Sequence, residues 1–343
     1  MKVLRLHAIH DLRLADEPAP VPGPQVALRT PILGDVLVKV AAVGICGSDA
    51  HWYTEGGIGP SRLVSPLVLG HEFTATVVGG KLAGQRVAVD PALPCGVCEW
   101  CQEGNPNLCP SVRFAGTDTV DGSMQEYMLW PAKNLFPLPD NLSNIDGVMF
   151  EPLGVAIHAS RLGPLQPGMD VGVYGCGPIG LLVIQLARLA GAGRIFATDI
   201  LSQRLEIARE MGATEVFMAD GSERAAILNA THKRGVDVAF EVAGQNDAVE
   251  TAVVTSKPGG LVVVTGIPAD DRTTFSAASA RRKGLTIKIV RRMKHTYPRA
   301  IQLVSSGKID VHALISHVLP FAQYQKAFDL AEKRAGIKVV IEM

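Results

Sequence analysis

The chain has 343 residues, with 33 Lys+Arg balanced by 33 Asp+Glu. That length holds two ordinary domains with real cores. The balanced charge speaks against nucleic acid as a partner, since its binders carry a basic excess or stripe. The one dense basic run, Arg281 to Lys283, is expected to be a solvated turn. No window approaches 18 uninterrupted apolar residues, so no membrane span is expected. MKVLRLHAIH (1–10) is too interrupted by polar residues for a signal peptide, and a cytoplasmic location is the expectation.

In chain order, residues 1–150 are rich in Gly and Pro. Short β-branched runs appear at 36–43 (VLVKVAAV), 74–78 (TATVV) and 86–90 (RVAVD), with turn signals at VPGP (21–24) and VVGGKLAG (77–84). This pattern predicts a loop-rich β domain. From about residue 150 apolar strand-like runs alternate with helical segments: 171–174, 179–192, 195–199, 202–212, 236–244 and 259–267. Alternation at that spacing predicts βαβ units around a parallel sheet, hence an α/β class. Beyond about 290 the pattern is expected to return to short strands and loops that fold back onto the first domain.

YGCGPIG (174–180) places Gly175, Gly177 and Gly180 in the order G-x-G-x-x-G between a strand and a helix, with Asp199 closing the next strand. The first glycine serves a tight turn, the second lets backbone approach a pyrophosphate, and the third lets helix and strand pack closely. The pyrophosphate is expected at the helix N-terminus. Asp199 should accept from the adenosine ribose hydroxyls and repel a 2′-phosphate, favouring NAD over NADP; Arg204 nearby is the counter-argument. Cys176, within the loop, reads as a small packing residue.

Two groups of candidate metal ligands stand out. Cys46 in GICGSDAHW, His71 and Glu72 in LGHEF, and Glu151 at a helix start together suit an open zinc site, with three protein ligands and one position left for water or substrate. Each alone has a plainer reading: a core cysteine, a satisfied core histidine, a carboxylate complementing a helix N-terminus. Cys95, Cys98, Cys101 and Cys109 are spaced C-x2-C-x2-C-x7-C. Four thiolates complete a tetrahedron, so this zinc site is closed and structural. A redox pair is disfavoured by four equivalent thiols, and a nucleic-acid-binding knuckle by the charge balance.

These motifs, together with EPLGVAIH (151–158), resemble those of the zinc-dependent medium-chain dehydrogenases over essentially the whole chain. The glutamate of EPL, and the stretches 56–72 and 291–301, are similar to those of the polyol (sorbitol and xylitol) dehydrogenases. Threonine 3-dehydrogenases share that glutamate but typically carry Thr where Ser48 stands here. The resemblance implies a GroES-like catalytic domain (1–150 and 290–343) with a structural-zinc lobe at about 91–112, and a Rossmann NAD-binding domain (151–289). It also implies a homotetramer that interconverts a polyol and its ketose.

By resemblance, Cys46, His71 and Glu151 are catalytic-zinc ligands, with Glu72 an alternating ligand or neighbour. Ser48 receives the substrate proton and passes it toward His51, while Asp49 orients a ligand histidine or makes an Asx turn. Trp52, Phe114, Thr117 and Arg292 are expected to line the substrate pocket. Gly175, Gly177, Pro178, Ile179, Gly180, Asp199, Arg204, Gly266, Ile267, Val290 and Arg292 are expected to hold the cofactor. Trp52 and Met293 stand where family members carry tyrosine or another aromatic, which leaves the preferred polyol open. Two rivals are a catalytically inactive NAD-binding regulatory protein and a zinc-free quinone reductase.

Overall fold

The structure, a computed structural model, describes residues 1–21, 35–117 and 120–343. Most of the turn read at 21–24 lies outside the described residues. The chain divides into two units, Met1–Glu151 with Tyr297–Met343, and Pro152–Thr296.

The first unit is built on a seven-stranded sheet. Asp35–Ile45, 11 residues long, pairs antiparallel with Glu72–Val77, Tyr127–Pro131 and Lys338–Glu342. Its inward face places Val38, Val40 and Val43 with Phe73, Ala75, Val87, Val89 and Ile341 in one buried cluster. Burial of that many β-branched side chains, each stabilising by about 1.5–3 kcal/mol, holds a domain whose connections are mostly loops.

The C-terminal tail differs from expectation. It contains two helices, Tyr297–Ser305 and Tyr324–Glu332, as well as strands. Tyr297, Ala300, Leu303 and Val304 are the buried positions of the first, a helical spacing in a segment too short to stand out. The second joins the parallel strands Ile315–Pro320 and Lys338–Glu342, a pairing that a tight hairpin turn cannot connect.

The second unit holds six parallel strands: β1 (Asp170–Tyr174), β2 (Arg194–Asp199), β3 (Glu215–Met218), β4 (Val236–Glu241), β5 (Ser256–Val264) and β6 (Thr286–Ile289). Their order is β3-β2-β1-β4-β5-β6. Every residue of β1 and β4 is buried, as central strands covered on both faces must be. The order reverses between β1 and β4, and the carboxyl ends of those strands form the crevice where open α/β sheets take ligands. At the opposite ends, Asp170 pairs with Arg194 at 2.6 Å, and Asp237 with Arg234 at 2.6 Å and Lys257 at 2.5 Å.

The basic run is exposed at Arg281 and Arg282, as expected, while Lys283 is half-buried. It forms the last turn of the helix Ala277–Lys283, and the Lys283 ammonium donates to the carbonyls of Val253, Val254 and Ser256. Those carbonyls lie around the C-terminal end of the preceding helix, Asn246–Thr255, where a cation is favoured.

Candidate active site

Strand register gathers the first constellation. Gly44 lies opposite Glu72, and Ile45 opposite Val339, so Cys46, Glu72 and Lys338 fall at one end of three adjacent strands. Gly44 is required there: a Cβ would stand 2.4 Å from Glu72 Oε2 and 2.6 Å from Val148 Cγ1. Cys46 caps the helix Gly47–Glu55. Asp49 in its first turn accepts the Cys46 N–H at 2.9 Å through Oδ2 and the Gly70 N–H at 3.1 Å through Oδ1.

The same Oδ1 lies 3.5 Å from His71 Nδ1, and the bond from Cys46 makes Asp49 part of a capping box rather than an Asx turn. The other ring nitrogen, Nε2, lies 3.4 Å from Ser48 Oγ. Cys46, His71 and Glu72 offer ligand atoms within 4.8 Å of one another. Glu151, at the start of the helix Phe150–Leu162, is buried outside that trio.

Burial and neighbouring charges shift two groups of the cluster. Burial pushes the Glu151 carboxyl up to about 7; Glu72 and Asp90 add to the rise while His71 and Lys338 oppose it. Burial acts to lower the His71 pKa, but the Asp49 carboxylate and Cys46 outweigh it and hold the imidazole well above its ordinary value. Lys338, 2% exposed, meets Glu72 Oε2 at 2.6 Å and donates to the Ile45 carbonyl at 3.2 Å. Sequence reasoning missed this lysine. Its signal was a lone cation heading the apolar run KVVIE, a setting where Lys is seldom buried unless paired.

The four-cysteine lobe is different. All four sulfurs lie within 4.8 Å of one another on short turns, and only Cys109 is buried. The N–H groups of Val97 and Cys98 pull the Cys95 thiol down to about 6. The Cys101 N–H favours the Cys98 thiolate, but burial and the crowding thiols outweigh it and push that group up to about 12. Thiols this close cannot all ionise without a cation among them.

Other expected residues fall as follows. His51 Nδ1 sits 2.8 Å from Glu55 Oε1 on a side chain 30% exposed. The Phe114 ring centre is 5.3 Å from that of His71, and Thr117 Oγ1 donates to the Phe114 carbonyl at 2.9 Å. Trp52 is buried in the core of its unit with no hydrogen-bond partner for its indole N–H.

In the second unit Gly175 has φ +110, a conformation a side chain resists. A Cβ on Gly180 would stand 1.9 Å from the Gly175 carbonyl, so helix and strand could not close. A Cβ on Gly177 would meet only Arg204 Nη1, at 3.8 Å, within 4 Å; the space above the loop is open. Pro178 and Ile179 start the helix Pro178–Leu189. Asp199 closes β2; its carboxylate takes the Cys176 N–H at 2.7 Å and the Leu201 N–H at 2.9 Å. About two of its lone-pair sites remain for ribose hydroxyls.

Gly266 and Ile267 follow β5, and the Val290 N–H donates to the Val264 carbonyl at 2.8 Å beyond β6. Arg292 has φ +54, a strained position of the kind found at functional sites. Met293 is buried against Gly154, where a Cβ would come 2.5 Å from its sulfur.

Comparison with known proteins shows the family. Residues 33–140 match the alcohol dehydrogenase GroES-like domain, and 178–306 the zinc-binding dehydrogenase family. The chain is 37% identical to a sorbitol dehydrogenase of Bacillus subtilis over 90% of both chains. It is also 37% identical to a probable D-xylulose reductase A of Aspergillus clavatus, over 98% of this chain and 95% of the relative. A solved alcohol dehydrogenase of Escherichia coli CFT073, complexed with NADH, superposes with a TM-score of 0.89 at 28% identity, covering 100% of this chain and 99% of that one. The chain therefore belongs to the zinc-binding, medium-chain dehydrogenase family.

Proposed function

We propose that this protein is an NAD-dependent zinc polyol dehydrogenase, interconverting a sugar alcohol of the sorbitol or xylitol type and its ketose. The observation that carries the reading is the grouping of half-buried Cys46 with buried His71 and Glu72, with buried Glu151 interacting electrostatically with both and Lys338 on Glu72. Its donor set of thiolate, imidazole and carboxylate suits a zinc site that keeps a position open. When bound, zinc acidifies a substrate hydroxyl as a Lewis acid, and NAD accepts the hydride.

The chain's own residues have these roles. Cys46 and His71 hold the metal, and either Glu72 or Glu151 supplies the carboxylate. Lys338 pairs with Glu72 while it is not a ligand. Asp49 fixes the His71 ring through Nδ1, leaving Nε2 for the metal. Ser48, beside Nε2, takes the substrate proton, and the exposed His51–Glu55 pair hands it to water.

Cys95, Cys98, Cys101 and Cys109 hold a second, structural zinc. Gly175, Gly177, Gly180 and Asp199 hold NAD, with Pro178, Ile179, Arg204, Gly266, Ile267, Val290 and Arg292 around it. Phe114 and Thr117, near His71, shape the substrate pocket. The first unit is the catalytic domain and the second the cofactor domain. A cytoplasmic homotetramer belongs to the same reading and rests on the family resemblance; sedimentation at micromolar concentration tests the assembly.

The deciding experiment follows absorbance at 340 nm with NAD and xylitol, sorbitol, galactitol, ribitol, threonine and simple alcohols. Turnover concentrated in the C5–C6 polyols is expected, with about two zinc per chain. A trace flat across the polyols, or turnover with threonine alone, rejects the proposal.

A further inference from the structure

Glu241 lies outside every group described so far. It is the last residue of β4, directly opposite Tyr174 of β1, at the point where the strand order reverses. It is fully buried, and among the described residues its hydrogen-bond partners are main-chain N–H groups rather than cations. Oε1 accepts from Ala243 at 2.8 Å and Gly244 at 2.7 Å, and Oε2 from Gly266 at 3.2 Å. Burying a carboxylate without a cation is expensive, so its retention calls for a use.

The three amides belong to two loops that leave the carboxyl ends of β4 and β5. These loops touch backbone to backbone: a Cβ on Gly266 would stand 2.1 Å from the Gly244 nitrogen, and one on Gly244 would stand 2.5 Å from the Ile267 carbonyl. The β4 loop also abuts the glycine loop, since a Cβ on Gly175 would come 3.0 Å from the Ala243 nitrogen. Backbone main-chain groups at this spacing have no side chains to lock them. The carboxylate replaces that missing packing with charge-assisted hydrogen bonds, the stronger kind.

We infer that Glu241 is a positioning residue for the dinucleotide: its carboxylate pins the loops after β4 and β5 to each other and against the glycine loop, setting the wall on which NAD is bound. The inference rests on the proposed placement of NAD at the β1/β4 crevice. Without the pin the loops sample open arrangements, and cofactor binding must first select the closed one, which lowers apparent affinity by the closed fraction.

The test is calorimetry with NADH on the zinc-loaded protein. Glu241→Gln keeps the shape but turns one acceptor into a donor facing an N–H. Its NADH Kd should rise about tenfold and the KM for NAD with it, while kcat at saturating NAD falls less than threefold and zinc content is unchanged. Amide exchange at Gly244 and Gly266 should be faster in the free variant than in the free wild type, and saturating NADH should slow it more in the variant. If Glu241→Gln does not fold, Glu241→Asp keeps the charge one methylene short and should give an intermediate Kd. A wild-type Kd in whichever variant folds overturns the inference. Asp199→Ala is run in parallel: if it too leaves NADH binding unchanged, the cofactor placement itself falls, whereas a loss there with a wild-type Kd for Glu241→Gln removes the role of Glu241 alone.

Discussion

The two ligand clusters of the first unit solve the same problem in opposite ways. Around Cys46 the donors are mixed and mostly buried, and each is braced: His71 by Asp49, Glu72 by Lys338, Cys46 by the N-terminus of a helix. Around Cys95 the donors are four like thiols on short turns, braced by little more than N–H contacts of 3.4 Å from Cys95 to Cys109 and from Cys98 to Cys95. A site that must hold a metal in one geometry and still leave a position for substrate needs partners that orient each ligand. A closed tetrahedron of thiolates supplies its own geometry and needs only to be near enough to close.

The contrast predicts separable losses. The largest is Cys46→Ser, which should lower kcat by about a thousandfold, because Lewis-acid stabilisation is worth several kcal/mol and each 1.36 kcal/mol is tenfold. The lobe's zinc should remain, so metal analysis should fall from about two per chain to about one. Retained turnover would move the chemistry elsewhere.

Next, Lys338→Met strands the Glu72 carboxylate in a buried site. The metal-free protein should lose about 3–5 kcal/mol of stability, read from denaturant midpoints. Zinc should recover much of this, since the cation replaces the ammonium. An equal loss with and without zinc would show that Lys338 serves the fold alone.

The third concerns pH. The His71 pKa is raised in the metal-free site, and its proton must leave before zinc binds. Zinc affinity at this site should therefore rise with pH and weaken as pH falls through the ordinary imidazole range and above it, by about tenfold per unit while one proton is displaced. Dialysis at stepped pH followed by metal analysis and activity reads this. Loss of lobe zinc with activity intact over that range would reverse the ranking of the two sites.

The smallest effect on turnover is expected from Cys98→Ser. It should release the lobe's zinc and lower Tm by several degrees, yet leave kcat per folded chain within about threefold, because no residue of the lobe is part of the Cys46 cluster. A collapse of kcat with unchanged Tm would exchange the roles of the two clusters.

Much of this was legible beforehand. The strands at 36–43, 74–78 and 86–90 and the βαβ alternation after 150 carry their periods locally, so each could be read in place. The glycine loop was legible because its three glycines fall at fixed spacing between a strand and a helix, and Gly180 answers a clash with the Gly175 carbonyl five residues before it. The C-terminal helices were not, since their apolar positions are few. Within the basic run Lys283 escaped the reading because the carbonyls that hold it lie 27–30 residues away in the chain.

By itself the sequence determined the element types up to about residue 290, the family and the candidate metal donors, because spacing and residue chemistry are local properties. Tertiary structure alone decided which donors meet. Register across Asp35–Ile45 brought Glu72 and Lys338, 266 residues apart, to one end of the sheet, and strand order put Glu241 at the reversal beside the glycine loop. Burial then determined the consequence: carboxylates that water would have screened must each find a cation or a cage of N–H groups, and no local pattern in the chain announces which.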